Sequence, residues 1–460
     1  MKFYYFLFLF LYGCKSISPE VPIAVKAVAP PPKIIVSNIT IPVGINLQEG
    51  LNEVEKQVPL KFQGSDQPCE GLGYSYIFER KPISFEFKEN AVLFSVAGGL
   101  GLDVNYCPSC HSLFGDERCV IPRVYGSCGS NGEPRRQLLT QFQSNIQLNK
   151  SYQLVAETKL KSVKLLDPCQ FSFMKINVTK EIENTITTEL IKQEKEINQQ
   201  ISSLSIRPQL INAWDKLQDP IPLNDFGFLY LQPKSVAFDK IVFNEKQAST
   251  NIHLTLSPTV LTTKSTTYKK TALPSATEQK PAGSFGLYVD VVANYDSLSA
   301  LLTASLKGSP IEIERKKFIV DSASLFQVSL DTLGLKVVFS GFKEGTLYFN
   351  GVPKIDSVSQ KLKIESLSYA LSTKSVLLNS AKWLCSDKIL SFVQNNSSFE
   401  LGPYMKEIEQ SITENLNQEI SAGINLSGKL TGLALKNIYI QEKNILVRCL
   451  MNAEMKLKIY

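Results

Sequence analysis

Apolar and polar residues alternate over most of the chain. Ile83, Phe85 and Phe87, then Val92, Phe94 and Val96, then Leu102, Val104 and Tyr106 form one period-two series. Leu335, Val337 and Phe339, then Leu362 and Ile364, then Leu367, Tyr369 and Leu371 form another. A period of two places one face in a core and the other in water, the habit of antiparallel sheets. Four stretches switch to a helical period. Residues 47–58 (LQEGLNEVEKQV) and 297–306 (SLSALLTASL) are short, and each follows a strand-like run, at 37–45 and 286–293. The other two are the longest expected helices. Ile182, Ile186, Leu190, Ile197 and Ile201 form one stripe on a helix of about 25 residues. Ile408, Ile412, Leu416 and Ile420 form a second.

The two long helices also share their wording. KEIENTI at 180–186 is echoed by KEIEQSI at 406–412: Lys, Glu, Ile and Glu recur in order, Asn/Gln and Thr/Ser are near-equivalents, and Ile closes both. Each is followed by a strand pair, at 228–256 and at 433–459. The expected architecture is therefore α+β, two tandem related domains at 34–263 and 284–460, each a long antiparallel sheet with one short and one long helix on its apolar face. A repeat of this length means a duplicated domain, because solenoid units run only roughly 20–50 residues. The polar segment 264–283 (KSTTYKKTALPSATEQKPAG) reads as a linker or long loop.

Residues 1–13 are Met-Lys and then an apolar run closing at Gly13 before Cys14. A charged residue followed by such a run reads as a secretory signal, too short for a permanent span of about 30 Å. Gly13-Cys14 looks like a bacterial lipobox, so acylated Cys14 is expected to anchor the chain to the membrane. Lys15 in place of Asp favours the outer membrane, facing the periplasm. Residues 14–33, with Pro19, Pro22 and Pro30-Pro31-Pro32, make an extended tether.

Composition narrows the function. The 49 basic and 43 acidic residues give a dispersed excess of +6, which does not suggest a nucleic-acid partner. Two histidines, His111 and His253, are too few for most catalytic zinc sites. No GxSxG, HExxH or P-loop occurs, and neither histidine lies near a recognisable serine motif, so no enzyme is expected. Ala97-Gly98-Gly99-Leu100-Gly101 lacks the dinucleotide spacing and reads as a turn or bulge between strands. Arg135-Arg136 reads as a solvated loop, with a lipid phosphate as the alternative partner.

Four features together resemble a bacterial lipoprotein family of unknown function in the tubular lipid-binding (TULIP, BPI-like) superfamily. They are the lipobox Cys14, SNITIPVGI leading into LQEGLNEVEKQVP, INAWDKLQDPIPL followed by FGFLYLQPKSVAF, and the duplicated KEIE helix. The resemblance spans 34–460 and implies a curved sheet wrapped on each long helix, leaving an apolar groove or tunnel for lipid. Ile182, Ile186, Leu190, Ile408, Ile412 and Leu416 are the candidate lining residues. On this reading the protein binds or carries lipids or other long apolar ligands and needs no cofactor. The alternatives are a scaffolding envelope lipoprotein with solid cores and a protein partner, and a c-type haem protein.

The haem alternative comes from Cys107-Pro108-Ser109-Cys110-His111, which has the attachment spacing. Cys107, Cys110, Cys119 and Cys128 can equally hold zinc, while an oxidising compartment favours disulfides. Cys69 with Cys169, and Cys385 with Cys449, are further candidate pairs.

Overall fold

The computed structural model describes residues 32–370 and 398–459, except 114–115, 172–175, 204, 278–285, 314, 343, 357 and 422. Cys14, the apolar run before it and Cys385 lie outside the described residues.

In chain order the first half holds β1 (Ser37–Asn46), α1 (Gln48–Gln57), β2 (Lys61–Asp66), β3 (Gly71–Arg80), β4 (Ser84–Lys88), β5 (Ala91–Cys107), β6 (Cys110–Leu113), β7 (Asp116–Cys119), β8 (Val124–Cys128), β9 (Arg136–Leu148) and β10 (Leu154–Leu165). Helices α2 (Thr179–Ser203) and α3 (Arg207–Leu217) follow, then β11 (Ile221–Pro222), β12 (Phe228–Tyr230), β13 (Pro233–Phe238), β14 (Val242–Asn244), β15 (Gln247–Leu256) and β16 (Thr259–Leu261). The second half holds β17 (Leu287–Asn294), α4 (Tyr295–Leu306), β18 (Pro310–Ile313), β19 (Lys316–Gln327), β20 (Leu333–Gly341), β21 (Gly345–Asp356), β22 (Lys361–Ala370) and β23 (Ser398–Glu400). Helix α5 (Gly402–Asn415), β24 (Gln418–Ser421), β25 (Ile424–Ile440) and β26 (Asn444–Ile459) complete it. The architecture is mixed α+β, mostly strands with few helices.

Each half opens with a strand that runs directly into a short helix. At the second junction the Asn294 side chain caps α4, accepting the Ser297 N–H at 2.7 Å. Each half then builds its own antiparallel meander. The first has the order β10-β9-β5-β3-β2, with β4 and β8 also on β5, and the second runs β18-β19-β20-β21-β22-β23. The alternating sequences form these sheets because their apolar set falls on one face. One-residue bulges between Leu160 and Ser162, Val320 and Ser322, and Asn350 and Val352 bend the strands and increase their twist.

A central sheet with the order β11-β12-β16-β17-β26-β1-β15-β13 joins the two halves. β1 pairs antiparallel with β15 of its own half and parallel with the end of β26. β17 pairs antiparallel with β26 of its own half and parallel with β16, the end of the first half. Each opening strand thus lies between the closing strands of both halves.

Among the described residues apolar burial is divided among five clusters. One of them corrects the linker expectation. Residues up to Thr277 of the polar segment are docked on the first half: Ala276 is buried in the same cluster as Trp214 and Tyr152, and Leu273 packs against it. Gln218, itself buried, accepts the Thr271 N–H at 2.7 Å and donates to the Thr271 carbonyl at 2.9 Å, where Trp214 Nε1 also donates. The Tyr152 hydroxyl donates to the Pro274 carbonyl. A segment with little apolar surface is held because distant side chains satisfy its backbone groups.

On the central sheet Arg448 is buried and makes a bidentate pair with Asp290 on the neighbouring strand, both contacts at 2.7 Å. Its Nη2 also donates to the Lys33 carbonyl at 3.1 Å, and its Cζ lies 5.4 Å from the centroid of the Tyr439 ring. The last residues of the expected tether are therefore fastened to the second half.

Candidate functional site

Helix α2 lies along β10, the edge strand of the first meander. An edge strand leaves a row of unpaired N–H groups, and α2 supplies side-chain acceptors for them. Glu183 accepts from Leu165 N–H at 2.8 Å, Glu194 from Leu160 at 2.8 Å and Asn198 from Thr158 at 2.9 Å. Helical spacing puts these three groups on one stripe, beside the apolar one. The helix is thus held along its length by polar contacts to strand backbone, with its apolar stripe adding to them at the N-terminal end.

The burial of the stripe follows. None of the 25 residues of α2 is buried. Ile182 and Ile186 pack against Leu100, Leu138 and Leu165 at the start of the helix, with Phe78 and Val163. Leu190, Ile197 and Ile201 are only half-buried, and Ile191 beside them is 51% exposed. An amphipathic helix serving only as core normally closes its apolar face against its sheet. Here that closure is incomplete.

The sheet face under Ile182 and Ile186 continues beyond the helix. Cross-strand partners point to the same side, so the register places Phe62 beside Phe78, Tyr76 beside Leu102, Tyr74 beside Val104, and Leu72 and Val124 beside Tyr106. Phe62, Leu72, Tyr74, Tyr76, Tyr106 and Val124 are all exposed. Leu102 and Val104 are half-buried between them. The Phe62 and Phe78 rings, with centroids 6.3 Å apart, connect this surface to the cluster under α2. One apolar path therefore leads from the helix stripe to the outside.

The second set of candidate residues has a different setting. Ile408, Ile412 and Leu416 join Leu223, Leu229, Val260, Val289, Leu430 and Met451 in a packed cluster on the central sheet, with Ile412 6% exposed. The expected stripe is also shorter: α5 ends at Asn415, and Ile420 lies in β24. Asn417 closes the helix by donating to the Thr413 and Gly428 carbonyls, both at 2.8 Å.

Three disulfides link the cysteines of the first half: Cys69–Cys110, Cys107–Cys119 and Cys128–Cys169. This corrects the Cys69–Cys169 pair, since each takes a partner brought near by the β5–β8 hairpins. Cys107 and Cys110 are both consumed, which removes the thiols that haem attachment requires, and with Cys119 and Cys128 those that zinc requires. Cys128–Cys169 ties β8 to the approach to α2, where Thr179 Oγ1 accepts the Cys169 N–H at 2.9 Å. Cys449 is a free, buried thiol among the described residues, and its candidate partner Cys385 lies outside them. Burial, with the Asp290 carboxylate adding to it, pushes the Cys449 thiol up to about 12.

No helix among the described residues is long and apolar enough to cross a membrane. Among those residues no group of His, Cys, Asp and Glu is arranged to hold a metal.

A family model described as a domain of unknown function, DUF4403, matches residues 36–459. The chain belongs to the DUF4403 family. No curated protein matches the sequence. Among solved structures, lipopolysaccharide binding protein aligns over 91% of this chain and 98% of its own at 11% identity, with a TM-score of 0.27. P47 of Clostridium botulinum E1 aligns over 89% and 98% at 10% identity, with a TM-score of 0.21. P47 from Clostridium botulinum A2 aligns over 90% and 96% at 10% identity, with a TM-score of 0.23. Likenesses this loose carry no argument about function.

Two features of this DUF4403 chain carry no signal in its sequence. The acceptor row Glu183, Glu194 and Asn198 was hidden because polar residues on a helix look like a solvated face. His253, which has no serine motif near it in sequence, is linked to Thr40 Oγ1 through Nδ1 at 2.9 Å and to Asp239 Oδ1 through Nε2 at 3.1 Å. This cross-strand chain fastens β1 and β15 to the turn after β13, and its partners lie 213 and 14 residues away.

Proposed function

We propose that this protein is a non-enzymatic, membrane-tethered lipid-binding protein, whose first half holds an acyl chain or similar apolar ligand along α2. The observation that carries the proposal is the 25-residue helix with an apolar stripe and no buried residue, set on an apolar sheet face that runs to the surface. A ligand chain laid there removes the half-covered side chains from water, worth about 0.8 kcal/mol per buried methylene. The exposed Tyr74, Tyr76 and Tyr106 fit the mouth of such a groove, having apolar bodies and polar tips suited to a membrane interface.

The wider reading is a tandem TULIP-like arrangement anchored through acylated Cys14 in the bacterial outer membrane. Its supports are the shared KEIE helices, the matching order of elements and the reciprocal pairing of the opening strands in the central sheet. In this scheme the second half, with Ile412 in a closed cluster, supplies a rigid platform.

Substitution along α2 tests the site. Leu190→Asp and Ile197→Asp lie in the half-covered part of the stripe, so each is expected to fold normally and to reduce uptake of a fluorescent fatty acid by about tenfold or more, from charge placed against the chain. Ile412→Asp is expected to destabilise the protein instead. Unchanged uptake in both α2 variants, with normal circular dichroism, would remove the groove from consideration.

A further inference from the structure

On the opposite face of β5 from α2, a cavity of about 730 Å³ lies between that strand, β2, β3 and the loop from Gly129 to Arg135. The glycine run 98–101, expected to form a turn, is instead the interior of β5. Its glycines make room for one side chain. A Cβ on Gly99 would lie 2.7 Å from Arg135 Cβ, and one on Gly101 would collide with Arg135 Nη1. The Arg135 guanidinium is therefore laid flat over the strand at a place only glycine permits. Gly129, at φ +67, turns the loop so that its carbonyl accepts from Arg135 Nη1 at 3.2 Å. Among the described residues that is the only hydrogen bond of Arg135, and no carboxylate pairs with it. Its neighbour Arg136 is paired with Glu133 at 2.7 Å.

Asp103 stands two residues beyond Gly101 on the same face of β5. Its Oδ1 accepts from Ser130 Oγ and from Asn131 Nδ2, the latter at 2.8 Å. These bonds fix the carboxylate, while Oδ2 has no partner among the described residues. Asp103 and Arg135 do not pair with each other. One cavity thus presents a fixed cation and a fixed anion, both with unused hydrogen-bonding capacity.

We propose that this cavity binds a zwitterionic headgroup bearing a primary ammonium and a phosphate. The guanidinium fork takes the phosphate, and Gln63, Ser65 and Ser75 on the cavity wall offer donors to its remaining oxygens. Asp103 Oδ2 takes the ammonium. A phosphate uses this set of donors more fully than a carboxylate, which has only two oxygens. The site does not depend on the α2 groove, and the headgroup can belong to a lipid or be free.

The test is calorimetric titration of the Cys14→Ser chain with O-phosphoethanolamine and with phosphocholine. Phosphocholine cannot donate a hydrogen bond to Asp103, so it is expected to bind about tenfold or more weakly. Arg135→Gln, Asp103→Asn and Gly101→Ala are each expected to weaken phosphoethanolamine binding by about tenfold or more, the last by displacing Arg135 without removing it. Arg135→Gln and Asp103→Asn alter only partly exposed groups and keep the test valid if Gly101→Ala does not fold. Cosedimentation with phosphatidylcholine vesicles only when they contain phosphatidylethanolamine would assign the headgroup to a lipid. Binding of the free compound without cosedimentation would assign it to a soluble ligand. Absence of saturable phosphoethanolamine binding at millimolar concentration, or binding unaffected by both Arg135→Gln and Asp103→Asn, would overturn the proposal.

Discussion

Reduction of the three disulfides is expected to unfold the first half while leaving the second-half meander folded. Cys69–Cys110 and Cys128–Cys169 each close a separation of 41 residues, and Cys107–Cys119 closes 12. In the chain-entropy account a loop of that longer size is worth about 4 kcal/mol and the shorter about 3 kcal/mol. A domain has only about 5–15 kcal/mol to lose. All six cysteines lie between residues 69 and 169, so the effect is confined to one half. Cys128→Ser with Cys169→Ser is the most informative single deletion, because it also frees the approach to α2. Hydrogen exchange on reduced and oxidised protein checks this: protection lost in β2–β10 and α2 but retained in β19–β21 is the expected pattern, and uniform loss would contradict it.

Asp290→Ala is expected to be the most damaging single substitution, by about 3–5 kcal/mol, because it leaves the buried Arg448 guanidinium without its counter-charge. The loss reaches further than the pair. Arg448 joins β26 to β17 and to the Lys33 carbonyl, so its release also loosens the attachment of the segment at Lys33. Replacing both partners, as Asp290→Leu with Arg448→Met, is expected to be milder than Asp290→Ala, since no charge is then stranded. Denaturant midpoints for the single and double variants decide the matter. A double variant as unstable as Asp290→Ala would show that the loss comes from packing rather than from the uncompensated charge.

Much of the scaffold was legible in the sequence because it rests on periodicity. The opening strands, α1, α4 and the full length of α2 follow from apolar spacing alone, and so do the meander strands. What escaped depends on groups far apart in the chain. The 264–277 segment is polar and contains a proline, so nothing local distinguishes it from a free linker; Gln218 and Trp214 hold it from some 53 and 57 residues away. Disulfide partners likewise follow from strand register, which spacing does not encode. The six candidate lining residues divide in the same way. Their helical stripes were readable, but whether a stripe is covered depends on what faces it. Ile412 meets the central sheet and is closed over, whereas Leu190 and Ile197 stay half-buried on a helix that Glu194 and Asn198 fasten to β10.

The measurement that bears most directly on lipid binding is a native mass spectrum of the Cys14→Ser chain, purified without detergent, before and after solvent extraction. The predicted result is a stoichiometric excess mass that leaves on extraction and is recovered as phospholipid or fatty acid. A single species at the polypeptide mass, lighter only by the protons lost to its disulfides, would contradict it.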